Sequence, residues 1–471
     1  MISYNELEVI LRNVFSNEDL VAEAVKGNFD IIKMFVPEDG EESKEMQEFI
    51  SKFFVSNIGG KTVVISRDDM NRKYDFSNFK HLYANIKEKH KVVDKARTTD
   101  DAVAYKIIEK PCVDRFLNDV AERFDEVVFK PSGNIRDGQY NFFKGFAYEG
   151  EDNGRAKLYL SHIRENICSG DDNLYNYILD WMAHIIQFPE KKVDKCIVLR
   201  GSQGTGKGVF VSQFASLLGD ASHTLTSMEP LLRGFNSELA NNLLVFADEV
   251  TWGGKKAEGS KLKTFISENR INIEFKGKDV VPMNNFARLI IASNHDWVVP
   301  VEGGDRRYVV IDVADKMKEN NTYFNKIMND MRNGGREDLM HLLVNRNLSG
   351  RDWSIKPVTH AIDDQKMLSL EPHENWLYDC IVDSIDKAMI PWAMGYNTKV
   401  ENRDVYDMYK KYMGEHHRNA YLKSSRELSG FLTKVTGLKT TKSNSKTYRT
   451  FSKLIKNEFE SYAGVGNKIW E

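Results

Sequence analysis

Apolar positions change their spacing from one region of the chain to the next. In the first 115 residues amphipathic helical patterns surround one hairpin candidate, FFVSNIGGKTVVIS, in which Gly59 and Gly60 separate two β-branched runs. Lysine and arginine crowd the stretch from Arg72 to Arg97, but aromatic and apolar residues interleave there at helical spacing, so it reads as a solvated helix face. From about 116 to 190 the helical period dominates and ends in NLYNYILDWMAHIIQFPEKK, where Pro189 stops it. Between about 193 and 315 the short runs KCIVLR, NLLVFAD, RLIIASN and RYVVIDV alternate with helical stretches, which predicts a parallel sheet flanked by helices. Helical segments continue to about 350, and an irregular connection, RDWSIKPVTHAIDDQ, marks a boundary. Beyond about 395, two or three short helices precede LKTTKSNSKTYRTFSKLI, a basic segment between short strands that resembles a winged helix. The pattern thus predicts four parts: an α/β region of unassigned role (1–115), a helical lead-in or collar (116–190), an α/β core (191–350) and a C-terminal helical, winged-helix-like domain (351–471).

The length of 471 residues exceeds what one hydrophobic core usually covers, in keeping with several domains. A net charge of -3 argues against a chain that coats nucleic acid over its whole surface, so any such contact is expected to be local. Cys112, Cys168, Cys196 and Cys380 are far apart and form no CxxC pair, which indicates neither a zinc site nor a disulfide framework. The start, MISYNELEVILRNVF, has no basic flank or long apolar core, and no apolar run approaches the roughly 20 residues that span a bilayer. A cytoplasmic protein without a membrane partner is the expectation.

The strongest local signal is the run Gly201, Ser202, Gln203, Gly204, Thr205, Gly206, Lys207, Gly208, directly after an apolar strand and directly before a helical pattern. Glycines let the backbone fold around phosphate oxygens, the loop N–H groups and the helix N-terminus bind the anion, and Lys207 reaches the outer phosphates. This is a P-loop, which calls for ATP. The position after the lysine is ordinarily Ser or Thr, whose hydroxyl ligates Mg²⁺, and here it is Gly208. Thr205 or a water could take that role. About forty residues on, an apolar strand ends in Asp248 and Glu249, a Walker B pattern: Asp248 is the candidate Mg²⁺ ligand and Glu249 the base that orients and deprotonates water.

A third strand ends in Asn294, which could position the attacking water, although an asparagine at a strand end also serves as a turn cap. Arg306 and Arg307 precede a further β-branched run. An arginine reaching a neighbouring subunit's nucleotide stabilises transition-state charge, worth roughly 10³ to 10⁵ in rate in phosphoryl-transfer enzymes. Such a finger implies a ring, whereas a surface turn with solvated arginines does not.

The order of these motifs, within little more than about a hundred residues, resembles that of superfamily III helicases. It is closest to the helicase portion of phage and satellite primase-helicases, including the lead-in from Tyr140 to Gly145, the segment from Trp181 to Pro189 and the Phe235–Asn236 pair. The resemblance covers roughly residues 125 to 315. It implies an AAA+ type P-loop ATPase core in a hexameric ring that moves on single-stranded DNA, typically 3′ to 5′, and opens forked duplex. It also implies that Lys207 contacts phosphate, Asp248 and Glu249 serve metal and hydrolysis, Asn294 is the sensor, and Arg306 or Arg307 is the finger in trans. In such rings a hairpin projects into the channel and holds the DNA backbone; here that would be the hairpin tip carrying Lys276 and Lys278.

Two function classes therefore stand: an ATP-driven DNA helicase of a phage or mobile element, and a nucleotide-binding assembly factor in replication initiation that does not turn ATP over. Gly208 keeps the second open, while Glu249 and the arginine pair speak against it. Primer synthesis needs clustered carboxylates for two metals, and neither Asp68–Asp69 nor Glu41–Glu42 has the spacing, so any primase or initiator is expected on another chain. His416 and His417 read as surface residues.

Overall fold

A computed structural model describes residues 42–466, apart from positions 59, 70–71, 94–95, 97–104, 233–235, 250–255, 275–279, 388–397, 438 and 452–454. The chain forms two compact units, residues 1–144 and 145–471, whose boundary falls inside the segment read from the pattern as 116–190.

In the first unit, helix α1 (Lys44–Lys52) starts at Ser43, whose hydroxyl accepts from the Met46 N–H. It leads into strands β1 (Phe53–Ile58) and β2 (Lys61–Ser66), the hairpin expected from FFVSNIGGKTVVIS, paired antiparallel from Phe53–Ser66 to Ile58–Lys61. Alternation sends Phe53, Val55 and Val64 to one core with Met46, Phe49, Phe79 and Phe116, and Phe54 and Ile65 to the opposite face with Tyr140. The basic stretch departs from expectation. Among its described residues only helix α2 (Phe76–Tyr83) is helical; β3 (Lys73–Tyr74) precedes it, and β4 (Lys87–Val93) pairs antiparallel with β5 (Tyr105–Pro111). Lys and Glu favour helix, but the propensity is weak, and the β-branched Val92, Val93, Ile107 and Ile108 suit a ladder better. Glu88 on this ribbon is buried and paired with Arg115.

In the second unit, strands β6 (Cys196–Arg200), β7 (Ser222–Leu225), β8 (Leu244–Ala247), β9 (Arg288–Ser293) and β10 (Tyr308–Asp312) form one sheet in the order β7-β8-β9-β6-β10, every pair parallel. Four of the five are the apolar runs picked out in the sequence. Their continuous apolar character follows from burial on both faces. Leu262, Phe265 and Ile266 of helix α3 (Lys256–Ser267) and Ala361 and Ile362 of α4 (His360–Leu368) cover one face with Val198, Val245, Ile291 and Val310. The other face is covered by the helix Lys207–Leu218, packed on β8 and β9, with Arg336–Asn345 and Asp172–Gln187 behind it. Arg288, at the start of β9, is fully buried; its guanidinium donates to the carbonyls of Pro189, Phe286 and Phe188 and locks the end of Asp172–Gln187 to the sheet.

The remaining residues build a second core around Trp376, Leu377, Tyr409, Leu428, Leu432, Phe451 and Phe459. Two helices, Asn402–His416 and Ser425–Thr436, precede an antiparallel hairpin, Thr441–Ser443 with Lys446–Phe451, to which strand Thr398–Glu401 adds. Arg449 in this hairpin is turned inward onto Ser429 and Thr433. No helix of the described residues is long and apolar enough to cross a membrane.

Candidate functional site

The carboxyl ends of β6, β8 and β9 converge on one cleft of about 610 Å³. It is lined by Gln203, Gly204, Thr205, Gly206, Lys207 and Gly208 from the loop after β6, by Asp248 and Glu249 after β8, and by Asn294 after β9. Gly201 and Ser202 instead line an adjoining cleft of about 750 Å³, which Asn294 also borders. Parallel strand order brings together residues up to about ninety positions apart in the chain, because ligand crevices form outside the carboxyl ends of such sheets.

The glycine loop is shaped from behind. Gly206, at φ +89, begins the helix Lys207–Leu218, and a Cβ there would come within 2.5 Å of Phe324 and 2.6 Å of His162. Gly204, at φ +79, is held by a bond from the Glu319 N–H to its carbonyl, 3.0 Å. His162, fully buried, places Nε2 3.2 Å from the Gly206 carbonyl, and Asn166 donates to the Thr205 carbonyl at 2.6 Å. The first turn of an α-helix leaves its N–H groups without intrahelical partners, so the loop presents donors to an anion.

Lys207 is folded back across this loop. Its ammonium donates to the Gly201 and Ser202 carbonyls at 2.7 and 2.8 Å, and only 9% of the residue is exposed. Burial pulls its pKa below the usual lysine value, opposed by the charges of Asp248, Glu249 and Asp315. Asp248 is pushed above the usual carboxylate range by burial and by its neighbour Glu249, with Lys207 acting against that. A carboxylate so placed gains from a nearby cation. Glu249 adopts φ +51, an uncommon backbone state for a non-glycine residue, and accepts a bond from Gln203 at 3.1 Å.

The residues fit a divalent cation in one restricted way. Asp248 can supply a carboxylate oxygen, while Thr205 is 1% exposed and its hydroxyl donates to the Ser202 carbonyl at 3.0 Å. A Cβ on Gly208 would meet nothing within 4 Å, so the space of the missing hydroxyl is open. Magnesium commonly keeps several waters and binds through one or two carboxylates plus substrate phosphates, which matches this donor set.

Arg306 and Arg307 lie elsewhere. They precede β10, whose Tyr308 pairs with Cys196 and whose Asp312 pairs with Arg200, so the arginine turn sits at the amino edge of the sheet and the glycine loop at the carboxyl edge. Five residues at roughly 3.3 Å each separate the two by about 17 Å, farther than an arginine side chain reaches. The pair also divides. Arg307 turns inward, donating to Ser267 at 2.8 Å and lying 3.7 Å from Asp305. Arg306 is exposed and makes no hydrogen bond or ion pair with a described residue. The turn is tied down by Lys356, which donates to the Asp305 and Tyr308 carbonyls, and by Gly303, where a Cβ would press on the Tyr462 carbonyl at 2.8 Å. Lys276 and Lys278 lie outside the described residues, between the paired strands Arg270–Ile273 and Val281–Asn284.

Sequence reasoning missed His162, Asn166, Glu319 and Phe324. A polar residue in the run LYLSHIRENI was the one available hint, and it does not say which loop that residue will support.

Fold and site together define an α/β protein with a glycine loop at a helix N-terminus and a carboxylate pair at the carboxyl edge of a parallel sheet. Comparison with known proteins adds relatives. A protein-family model described as a family of unknown function (DUF5906) matches residues 199–307. A DNA primase-polymerase of Nitratiruptor phage NrS-1 is 29% identical over 163 residues, 34% of this chain and 23% of that protein, so the match spans less than a quarter of that relative's length. The apo structure of the NrS-1 C-terminal region superposes with a TM-score of 0.60 at 16% identity, covering 87% of this chain and 99% of that one. A second apo form of that region gives 0.54, covering 79% and 95%. At that identity the likeness is one of fold.

Proposed function

We propose that this chain is an ATP-driven DNA motor of the superfamily III helicase kind, acting in the replication of a phage or mobile element. The observation that carries the reading is the division of parts between the two edges of one sheet. Lys207, Asp248, Glu249 and Asn294 share a cleft, while Arg306 stands free at the opposite edge, about 17 Å away by strand rise. In this reading the core is an AAA+ type P-loop ATPase, and each site is completed by Arg306 of the next copy in a ring, a hexamer by family analogy. Likeness of fold to the NrS-1 C-terminal region, and of sequence to a protein named a DNA primase-polymerase, supports a place in DNA replication.

Lys207 leaves the two loop carbonyls and moves onto the phosphates, whose oxygens also meet the loop N–H groups. Glu249, beside Gln203, is placed to orient and deprotonate the attacking water, and Asn294 to hold it. Asp248 would hold Mg²⁺, which neutralises charge on the phosphates. Lys276 and Lys278 remain the proposed DNA contacts, with residues 116–190 as collar and 351–471 as a winged-helix-like domain. Translocation from 3′ to 5′ is carried over from the resemblance.

The test is ATP hydrolysis with and without single-stranded DNA, followed by unwinding of a forked duplex. DNA-stimulated hydrolysis that Lys207→Ala abolishes is expected. ATP binding without turnover under any DNA or Mg²⁺ condition would favour the nucleotide-gated assembly factor, the reading that Gly208 supports.

A further inference from the structure

Strand order gives the candidate cleft two distinct ends. Asp248 and Asn294 arrive from β8 and β9, on one side of β6, whereas Glu319, Asn321 and Phe324 arrive from the segment after β10, on the other. The loop lies between them. Lys207 and the acids face the reacting phosphates at the first end, so the rest of the nucleotide extends to the second. There the lining consists of Val209, Phe324, Asn321 and Glu319, and no lysine or arginine accompanies the carboxylate to favour phosphate.

We propose that Phe324 and Asn321 form the seat of the nucleotide base and that the seat selects adenine over guanine. The proposal rests on the reading that this cleft takes a nucleoside triphosphate. Phe324 is a braced, half-buried ring. His162 meets it nearly edge-on at 5.8 Å and 87°, Tyr323 at 5.4 Å and 67°, and Gly206 lies against it with no room for a Cβ. A ring already held in place loses little freedom when a base stacks on it, and one base–aromatic stack is worth roughly 1–3 kcal/mol.

Asn321 opens the helix Asn321–Asp330, but it is Asn320 that caps it, accepting from the Tyr323 N–H at 3.0 Å. The backbone N–H of Asn321 is bonded to the Glu319 carbonyl, which fixes the residue, while its exposed side-chain amide makes no hydrogen bond with a described residue. A carboxamide offers one donor edge and one acceptor edge. Adenine presents the complementary pair at N7 and N6, whereas guanine presents two acceptors, N7 and O6, one of which would face the amide oxygen.

The full chain is titrated calorimetrically with ATP, GTP and inorganic tripolyphosphate, alongside Lys207→Ala, Phe324→Ala, Phe324→Tyr and Asn321→Ala. The intact protein is expected to prefer ATP to GTP by about ten-fold. Phe324→Ala should weaken both nucleotides by about ten-fold more than it weakens tripolyphosphate. Phe324→Tyr should retain ATP affinity, and Asn321→Ala should bring the ATP to GTP ratio toward one. Equal affinity of the intact protein for ATP and GTP would overturn the selection. ATP affinity that survives both Phe324→Ala and Asn321→Ala but falls in Lys207→Ala would overturn the seat and leave the phosphate cleft standing. A loss of tripolyphosphate with Phe324→Ala as large as the loss of nucleotide would overturn the seat and make the ring a support of the loop alone. Failure of the intact protein to bind ATP or tripolyphosphate would remove the underlying reading, and the inference with it.

Discussion

The two edges of the parallel sheet are built on opposite electrostatic plans. At the carboxyl edge charges are buried and incompletely paired: Lys207 is held below its usual pKa and Asp248 above its own, and both gain from a polyanion with its cation. At the amino edge most charges are already satisfied within the chain. Arg307 is bonded to Ser267 and lies beside Asp305, Lys356 holds two carbonyls, and the buried Arg288 holds the end of the preceding helix. Arg306 is the exception there, exposed on a turn that its neighbours immobilise. One edge gathers charged groups around a cleft, and the other leaves Arg306 exposed on the far side of the sheet.

The comparison breaks most sharply at the arginines. Lys207→Ala and Arg306→Ala are each expected to lower ATP turnover by at least about 100-fold, the arginine by up to roughly 10³ or more. Arg307→Ala should lower stability first, since it strips an inward hydrogen bond. A mixture of Lys207→Ala and Arg306→Ala proteins should regain phosphate release that neither shows alone, because each supplies the edge the other lacks. No recovery in assembled mixtures would sink the idea of a shared site.

Next in size is Gly206→Ala, which combines a positive φ with a Cβ placed at 2.5 Å from Phe324 and 2.6 Å from His162. It should cost about 1–3 kcal/mol in chemical denaturation and abolish nucleotide binding. The amino edge is probed by pH. Burial, then Arg288 and Lys191, lowers the pKa of His184 to about 4. A depressed histidine contributes stability that is present above its unfolded value near 6.5 and is lost as pH falls through the folded value. Between pH 7 and 4.5 the intact protein should therefore lose about 2–3 kcal/mol more than His184→Gln. Equal losses would refute the assignment. The smallest effect is expected from Gly208→Ser, for which nothing stands within 4 Å. It should change stability by less than about 0.5 kcal/mol and lower the Mg²⁺ concentration needed for half-maximal ATP hydrolysis.

What could be read in the sequence was whatever depends on near neighbours in the chain. The runs CIVLR, LVFA, RLIIAS and YVVID declared buried parallel strands by being apolar on both faces, and the glycine loop declared itself by lying between a strand and a helix. The hairpin of Phe53–Ile58 with Lys61–Ser66 followed from its β-branched runs and the glycines between them. Local pattern misled at Lys87–Val93, where helix-favouring residues took a strand because a partner about twenty positions later completed the ladder.

Tertiary structure decided the rest. It separated Arg306 from Arg307, identical in sequence terms, by giving only one of them a hydroxyl and a carboxylate to meet. It enlisted His162 and Asn166 under the glycine loop, bonded the Thr205 hydroxyl to the Ser202 carbonyl, and brought Phe324 and Asn321 to the far end of the cleft. Residue types and spacing fix what chemistry a chain can perform. Strand order and burial, which arise from contacts between segments remote in the chain, fix which copies of a residue type are free to perform it.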